Sequence, residues 1–247
     1  MIVRNLGSGS GGNATVVSEG GHAILIDAGL SKRRMLAGLD GLKLDGVLVS
    51  HCHGDHLKPY AADLGGPVWL DENNLESARC RDRIEKNYEL FGGGDPFHVG
   101  PFRIEAFPLP HPGFRAGWNN FGFIVESRKR RFVYATDTGR VTDELLEAVK
   151  RGHVVLLESN HDPELELNSS RPRQTKEWIL SDYGHLSNDQ CAEALTRATR
   201  ANAVILGHLS GECNRPELAR RAAKKALRRT VRVTVAKQGT SSDALTV

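Results

Sequence analysis

Three histidines and a carboxylate crowd into His51-Cys52-His53-Gly54-Asp55-His56, directly after the apolar run Gly46-Val47-Leu48-Val49. Histidines two apart at a strand end point the same way, because side chains alternate with period two. His51 and His53 can therefore bind one metal ion in common. Asp55 and His56, one turn further on, reach a neighbouring position. Imidazoles with carboxylates suit Zn²⁺ and also admit Mn²⁺, so the donor types leave both metals open. Cys52 sits between these residues, and on the same alternation its side chain points away from them.

Such a cluster acts only if rigid elements bring further ligands to it. Apolar runs predict strands over Ala14–Val17, Ala23–Ile26, Val47–Ser50, Arg103–Phe107, Phe121–Val125, Arg131–Ala135, Val154–Leu157, Val204–Leu206 and Val231–Val235. Helices are predicted over Lys32–Leu39, Asp143–Val149, Asn188–Arg200 and Pro216–Leu227. Ser187 and Gln190 form a capping-box pattern at the start of the third, and Pro216 suits the first turn of the fourth. The stretch Glu89–Asp95 reads as a surface loop or lid edge. Three strands run straight into candidate ligands, His51, Asp137 and His208, and His111 follows Phe107-Pro108-Leu109-Pro110. Groups at the ends of rigid strands can converge on one edge of a sheet. Strand-rich halves with outer helices predict an α/β (α+β) fold, a four-layer αββα sandwich, as a single domain over residues 1–247.

The chain of 247 residues is 39% hydrophobic and 26% charged, with a net charge of +3. That is ordinary for a water-soluble globular protein and permits an anionic partner without demanding one. No apolar run is long enough to cross a membrane. The N-terminus Met1-Ile2-Val3-Arg4-Asn5 lacks a signal-peptide core. Four cysteines, Cys52, Cys80, Cys191 and Cys213, show no paired spacing. Together these favour the cytoplasm.

The order of His51-Cys52-His53-Gly54-Asp55-His56, Leu109-Pro110-His111-Pro112-Gly113, Ala135-Thr136-Asp137-Thr138-Gly139 and Leu206-Gly207-His208-Leu209-Ser210 resembles the metallo-β-lactamase superfamily along nearly the whole chain. More specifically, the chain resembles the WalJ/YycJ-like branch, whose members are regarded as DNA-directed exonucleases. The carrying segments are Leu6–Ala14, Leu25–Leu30, Leu157–Asp162 and Leu180–Asn188. The branch usually has an aspartate after the third histidine, whereas Pro112 and Gly113 follow His111 here.

The resemblance implies one metal held by His51, His53 and His111, a second held by Asp55, His56 and His208, and Asp137 bridging the two. Two such cations can hold a bridging hydroxide for in-line attack and stabilise charge on a phosphoryl oxygen. It also gives His185, beside a helix N-terminus that suits phosphate, the role of protonating the leaving oxygen; a structural histidine there is the other reading. Asp55, Asp137 and His185 are thus the catalytic candidates, and Asn160, His161 and His185 the substrate-binding ones. Asp27 reads as an outer acceptor for a ligating histidine or as a turn residue.

Gly7–Gly12 lacks the lysine of a P-loop and reads as a tight turn beside the site. Basic clusters at Arg128–Arg131 and at Arg220, Arg221, Lys224, Lys225, Arg228 and Arg229 can neutralise backbone phosphates, or are solvated faces. No base-reading module is recognisable, so nucleic-acid binding should be backbone-directed. Neither a tRNA-gripping arm nor an inserted β-CASP domain fits between the candidate ligands. The leading expectation is a cytoplasmic two-metal phosphodiesterase, a 5′-to-3′ DNA exonuclease. The alternatives are a phosphodiesterase for a small phosphodiester and a non-catalytic metal-binding regulator. Oligomeric state has no sequence signal.

Overall fold

The computed structural model describes residues 1–76, 84, 87–92, 94–111 and 119–247. Cys80, Pro112 and Gly113 lie outside the described residues. One sheet contains β1 (Ile2–Gly7), β2 (Ala14–Glu19), β3 (His22–Ile26), β4 (Lys43–Leu48), β5 (Val68–Asp71), β6 (Tyr88–Phe91) and β14 (Leu245–Thr246). Its order is β14-β1-β2-β3-β4-β5-β6. The second contains β7 (Phe97–Val99), β8 (Phe102–Leu109), β9 (Asn120–Ser127), β10 (Arg130–Ala135), β11 (Val154–Glu158), β12 (Ala203–Gly207) and β13 (Arg232–Val235). Its order is β13-β12-β11-β10-β9-β8-β7.

Period-two alternation sorts the strands into three layers of core. Ile24 and Ile26 face inward against Phe123, Phe132, Tyr134 and Leu156 from the opposite sheet. Their neighbours Ala23 and Leu25 face outward onto Met35 and Leu39 of α1 (Lys32–Leu39). Val133, Val155, Leu157 and Leu206 likewise face outward onto α3 (Asp143–Arg151), α6 (Asn188–Leu195) and α7 (Pro216–Ala226). Strands covered on both faces read as continuous apolar runs. This is the αββα sandwich. Three shorter helices, α2 (Glu72–Glu76), α4 (Pro163–Leu167) and α5 (Arg173–Ile179), complete the described set.

Helix starts follow the sequence. Thr142 accepts from Leu145 N to cap α3, and the capping box is complete at Ser187 and Gln190. Each such cap stabilises its helix by about 1 kcal/mol. Two expectations need correction. Tyr88–Phe91 is a strand paired with β5, not a loop, because main-chain pairing to Val68–Asp71 outweighs its acidic, glycine-flanked composition. Helix α6 ends at Leu195 rather than Arg200.

The functional consequence lies in direction. Strands β3 to β6 are mutually parallel, as are β10 to β13. Their carboxyl ends therefore open at one edge of the sandwich. Among the described residues no helix is long and apolar enough to cross a membrane.

Candidate metal centre

Asp27 and His208 follow directly on β3 and β12, Asp137 and His51 lie within three residues of the ends of β10 and β4, Glu158 closes β11, and His111 follows β8. Three of these turns are strained: Asp27, Asp137 and His208 sit at φ 60°, 59° and 52°. A non-glycine residue in the left-handed region costs of order 1–3 kcal/mol, and such strain concentrates at functional sites.

The strand ends bring the candidate ligands into two neighbouring groups. Donor atoms of His51, His53 and His111 lie within 4.8 Å of one another, as do those of Asp55, His56 and His208. Asp137 stands between them, grouped with His51 and His56 on one side and with Glu158, His185 and His208 on the other. Its Oδ2 is 3.1 Å from His56 Nε2, and its Oδ1 is 3.5 Å from His208 Nε2 and 4.0 Å from His111 Nε2.

These atoms are not satisfied by one another. Asp137 Oδ2 and His208 Nε2 are buried and make no hydrogen bond. Buried polar atoms without partners are uncommon and costly. Imidazole nitrogens and carboxylate oxygens converging from several directions are the donor set of a divalent cation. The residues fit such a group.

The ring nitrogens that do not face the centre are tied down. His56 Nδ1 donates to Asp27 Oδ2 at 2.7 Å, His208 Nδ1 to Glu158 Oε1 at 3.0 Å, and His111 Nδ1 to the Gly184 carbonyl at 3.0 Å. Such outer acceptors fix ring orientation and tautomer. Asp27 is itself held by Ser50 N at 2.9 Å and by the Tyr134 hydroxyl at 2.6 Å, so its role is to orient His56. The Gly7–Gly12 turn is more than a turn. Ser8 Oγ accepts from His208 N at 2.8 Å, and the Asn13 amide lies 2.9 Å from His56 Nε2.

Glu158 is the residue that sequence reasoning missed. Fully buried, it accepts from His185 Nδ1 at 2.8 Å and His208 Nδ1 at 3.0 Å through Oε1. Through Oε2 it accepts from Thr138 N at 2.9 Å and Leu186 N at 3.2 Å. Its one sequence signal is an acid closing a continuous apolar strand, where an unpaired charge would be costly.

Asn160 and His161, expected to face the substrate, are placed behind the centre instead. They are 5% and 1% exposed. Asn160 Nδ2 donates to the His208 carbonyl at 2.8 Å, and the His161 carbonyl accepts from Asn188 N. Glu158 reaches the site from the last position of β11, whereas these two lie beyond the strand and brace it. His185 does reach the centre, with Nδ1 3.8 Å from Asp137 Oδ1. Cys52 is buried, with Sγ toward the Asn74 carbonyl. It is disulfide-bonded, which the cysteine spacing does not signal, whereas Cys191 and Cys213 are free.

The basic clusters also separate. Arg128 and Lys129 form the turn between β9 and β10, at the strand ends opposite Asp137, and Arg128 and Arg131 pair with Glu19 and Glu126. Arg220 and Lys224 of α7 line a groove of about 560 Å³ with Lys237. Lys237 follows β13 at the carboxyl edge of the sheet, where its carbonyl accepts from Ser8 N.

Burial and the charge of neighbouring histidines hold His51 well below the ordinary histidine range, and push His53 down to about 4. Neutral imidazoles are what a cation requires. His208 goes the other way. Burial opposes its charge, but Asp137, Asp55 and Glu158 outweigh that and raise it to about 10. Asp55, pushed up by burial, is pulled down to about 2 by His56 and His208. Protein stripped of metal therefore holds a proton on His208 at neutral pH. Asp137 and Asp27 likewise raise His56 well above the ordinary range against its burial. Zinc binding is expected to displace the protons held on both residues, read by calorimetry in buffers of different ionisation enthalpy. The stability sign follows too. A folded-state value of about 10 against an ordinary 6.5 gives stabilisation that is complete below pH 6.5. That contribution is lost as pH rises through about 10, so the metal-stripped protein should melt lower at pH 10 than at pH 6.5. His208→Gln should lack that segment of the dependence.

A profile of the β-lactamase superfamily domain matches residues 22–209. Over 228 residues the chain is 32% identical to the exodeoxyribonuclease WalJ of Streptococcus pneumoniae serotype 2 (strain D39), covering 87% of this chain and 83% of that protein. It is 32% identical over 239 residues to the exodeoxyribonuclease YycJ of Bacillus anthracis, covering 90% and 87%. The metallo-β-lactamase fold protein YhfI from Bacillus subtilis superposes with a TM-score of 0.74 at 19% identity, over 98% of this chain and 99% of that one. With its ligand-bearing strand ends and its sandwich both accounted for, the chain belongs to the metallo-β-lactamase superfamily, in the WalJ/YycJ-like branch.

Proposed function

We propose that residues 1–247 form one catalytic domain, a two-metal phosphodiesterase that acts in the cytoplasm as a 5′-to-3′ DNA exonuclease. The observation that carries this reading is two ligand groups sharing Asp137, with His185 beside it and tied to Glu158. Relatives named as exodeoxyribonucleases, matched over most of their length, support the substrate class.

His51, His53 and His111 would hold one divalent ion, zinc or manganese, and Asp55, His56 and His208 the other, with Asp137 between. When bound, such ions activate water and neutralise charge on phosphoryl oxygens. The protein's own contribution is positional. Asp27 and Glu158 lock His56 and His208, so that the centre does not reorganise when a phosphodiester arrives. His185 Nδ1 is committed to Glu158, which leaves Nε2 to carry the proton given to the leaving oxygen. His185→Ala is expected to lower the turnover rate about 10²-fold or more. Metal content, measured by elemental analysis, should stay unchanged.

The groove of Arg220, Lys224 and Lys237, with Lys237 at the carboxyl edge of the sheet, suits a phosphate backbone. Substituting both Arg220→Glu and Lys224→Glu should weaken DNA binding and flatten its salt dependence, by about 0.7–0.9 in log–log slope per lost phosphate contact. Cleavage of a small phosphodiester should be unaffected.

The direct test is digestion of end-labelled duplex DNA with Mn²⁺ or Zn²⁺, alongside Asp55→Ala. Stepwise release from 5′ ends, abolished in the variant, is expected. Intact DNA with cleavage of bis-p-nitrophenyl phosphate would mean a small substrate instead. Full metal occupancy with no turnover on any phosphodiester would mean a regulator.

A further inference from the structure

Trp178, the penultimate residue of α5, is 43% exposed, yet its ring reaches the centre. Its centroid lies 5.3 Å from that of His185 and 5.5 Å from that of His111, edge-to-face in both cases. The same segment exposes Tyr183 by 55%. Close backbone approach clamps this segment to the site. A Cβ at Gly184 would stand 2.2 Å from the carbonyl oxygens of Trp178 and Ile179. One at Gly139, two residues after Asp137, would stand 2.3 Å from the Asp182 carbonyl carbon. The Gly184 carbonyl also accepts the hydrogen bond from His111.

An indole left half in water beside a phosphodiester site has chemistry to offer that its own packing does not use. Every nucleobase presents a π-face, and stacking on an aromatic ring needs no sequence match. We infer that Trp178 is the stacking platform for a nucleobase adjoining the phosphodiester at the centre. This rests on the nuclease reading above. The ring touches both His185 and His111, so a stacked base fixes which phosphodiester arrives between them. Backbone contacts elsewhere hold the strand but do not touch its bases. Trp178 is thus a positioning residue for polynucleotide and has no part in the cleavage step.

The test couples the ring to the base. Wild type, Trp178→Ala and Trp178→Phe are assayed with manganese on a labelled oligonucleotide. Each is also assayed on oligonucleotides carrying one abasic residue on either side of the scissile phosphodiester, with metal content measured in parallel. On the normal substrate Trp178→Ala should raise KM about tenfold and Trp178→Phe should recover most of the loss. Wild type should show a similar rise on one of the abasic substrates, where Trp178→Ala adds nothing further. An equal loss from Trp178→Ala on normal and both abasic substrates would make Trp178 a prop for His111 and His185, and the inference would fall. Wild type indifferent to both abasic positions would overturn it without any variant. A wild type that cleaves no oligonucleotide would instead defeat the nuclease reading, and this inference with it.

Discussion

Asp137→Ala is expected to reduce phosphodiester cleavage by of order 10⁴-fold and to strip most of the bound metal. The Asp137 carboxylate faces both ligand groups, 4.0 Å from His111 Nε2 and 3.5 Å from His208 Nε2 through Oδ1. Its carboxylate is held well below the ordinary aspartate range, because His208 and His56 outweigh the effect of burial. Removing it deletes a donor and the negative charge that stands between the two ligand groups. Elemental analysis of the dialysed variant, with turnover on bis-p-nitrophenyl phosphate, checks both halves. A variant that keeps full metal and near-normal turnover would show that Asp137 does not join the two groups. Melting of the metal-stripped variant supplies the control for folding. Without this counter-charge, the pull that raises His208 weakens, so its high-pH loss of stability should shrink as well.

How much of this centre can be read from the chain depends on how locally its parts are encoded. His51, His53, Asp55 and His56 announce themselves because one strand end and one turn place them together. His111, Asp137 and His208 are legible at the next level, since each follows an apolar run that must be a covered strand. Glu158 is not. Its significance arises only when β11 is laid between β10 and β12, bringing His185 and His208 to one carboxylate from distant positions. Its neighbours Asn160 and His161 look like site residues for the same reason that Glu158 does not. A histidine and an amide after a strand invite a ligand reading, whereas an acid at the strand's end looks like the start of a loop.

The fold follows the same division. The long strands buried on both faces are evident from composition. Short edge strands such as Phe97–Val99 and Leu245–Thr246 depend on a partner for their existence. Helix α5 escapes periodicity because Ile179 is its one buried residue, and that same lack of a packed face leaves Trp178 at the site's rim.

Glu158→Gln tests the level that sequence could not reach. The carboxylate takes four donors on two oxygens, the imidazoles of His185 and His208 on Oε1 and the amides of Thr138 and Leu186 on Oε2. A glutamine of the same shape has one oxygen. Turned either way, its amide nitrogen meets two donors that have lost their acceptor, and leaving buried donors unpaired costs about 1–3 kcal/mol each. If the oxygen stays with Thr138 and Leu186, the two imidazoles lose the partner that fixes their tautomers. If it turns to the imidazoles, the loop carrying Asp137 and the turn carrying His185 loosen. Activity should fall about 10³-fold, combining a loss of 10–100-fold for a displaced orienting group with failure of proton transfer at His185. Metal affinity should drop by about 10–100-fold through His208. Glu158 is held down to about 2 by His185 and His208 despite its burial, so in the wild type it is the charged acceptor of both imidazoles. Melting separates the loss of that acceptor from general damage. Glu158→Gln should stay folded at the assay temperature while its rate falls, and a variant already unfolded there would assign Glu158 to holding the fold alone.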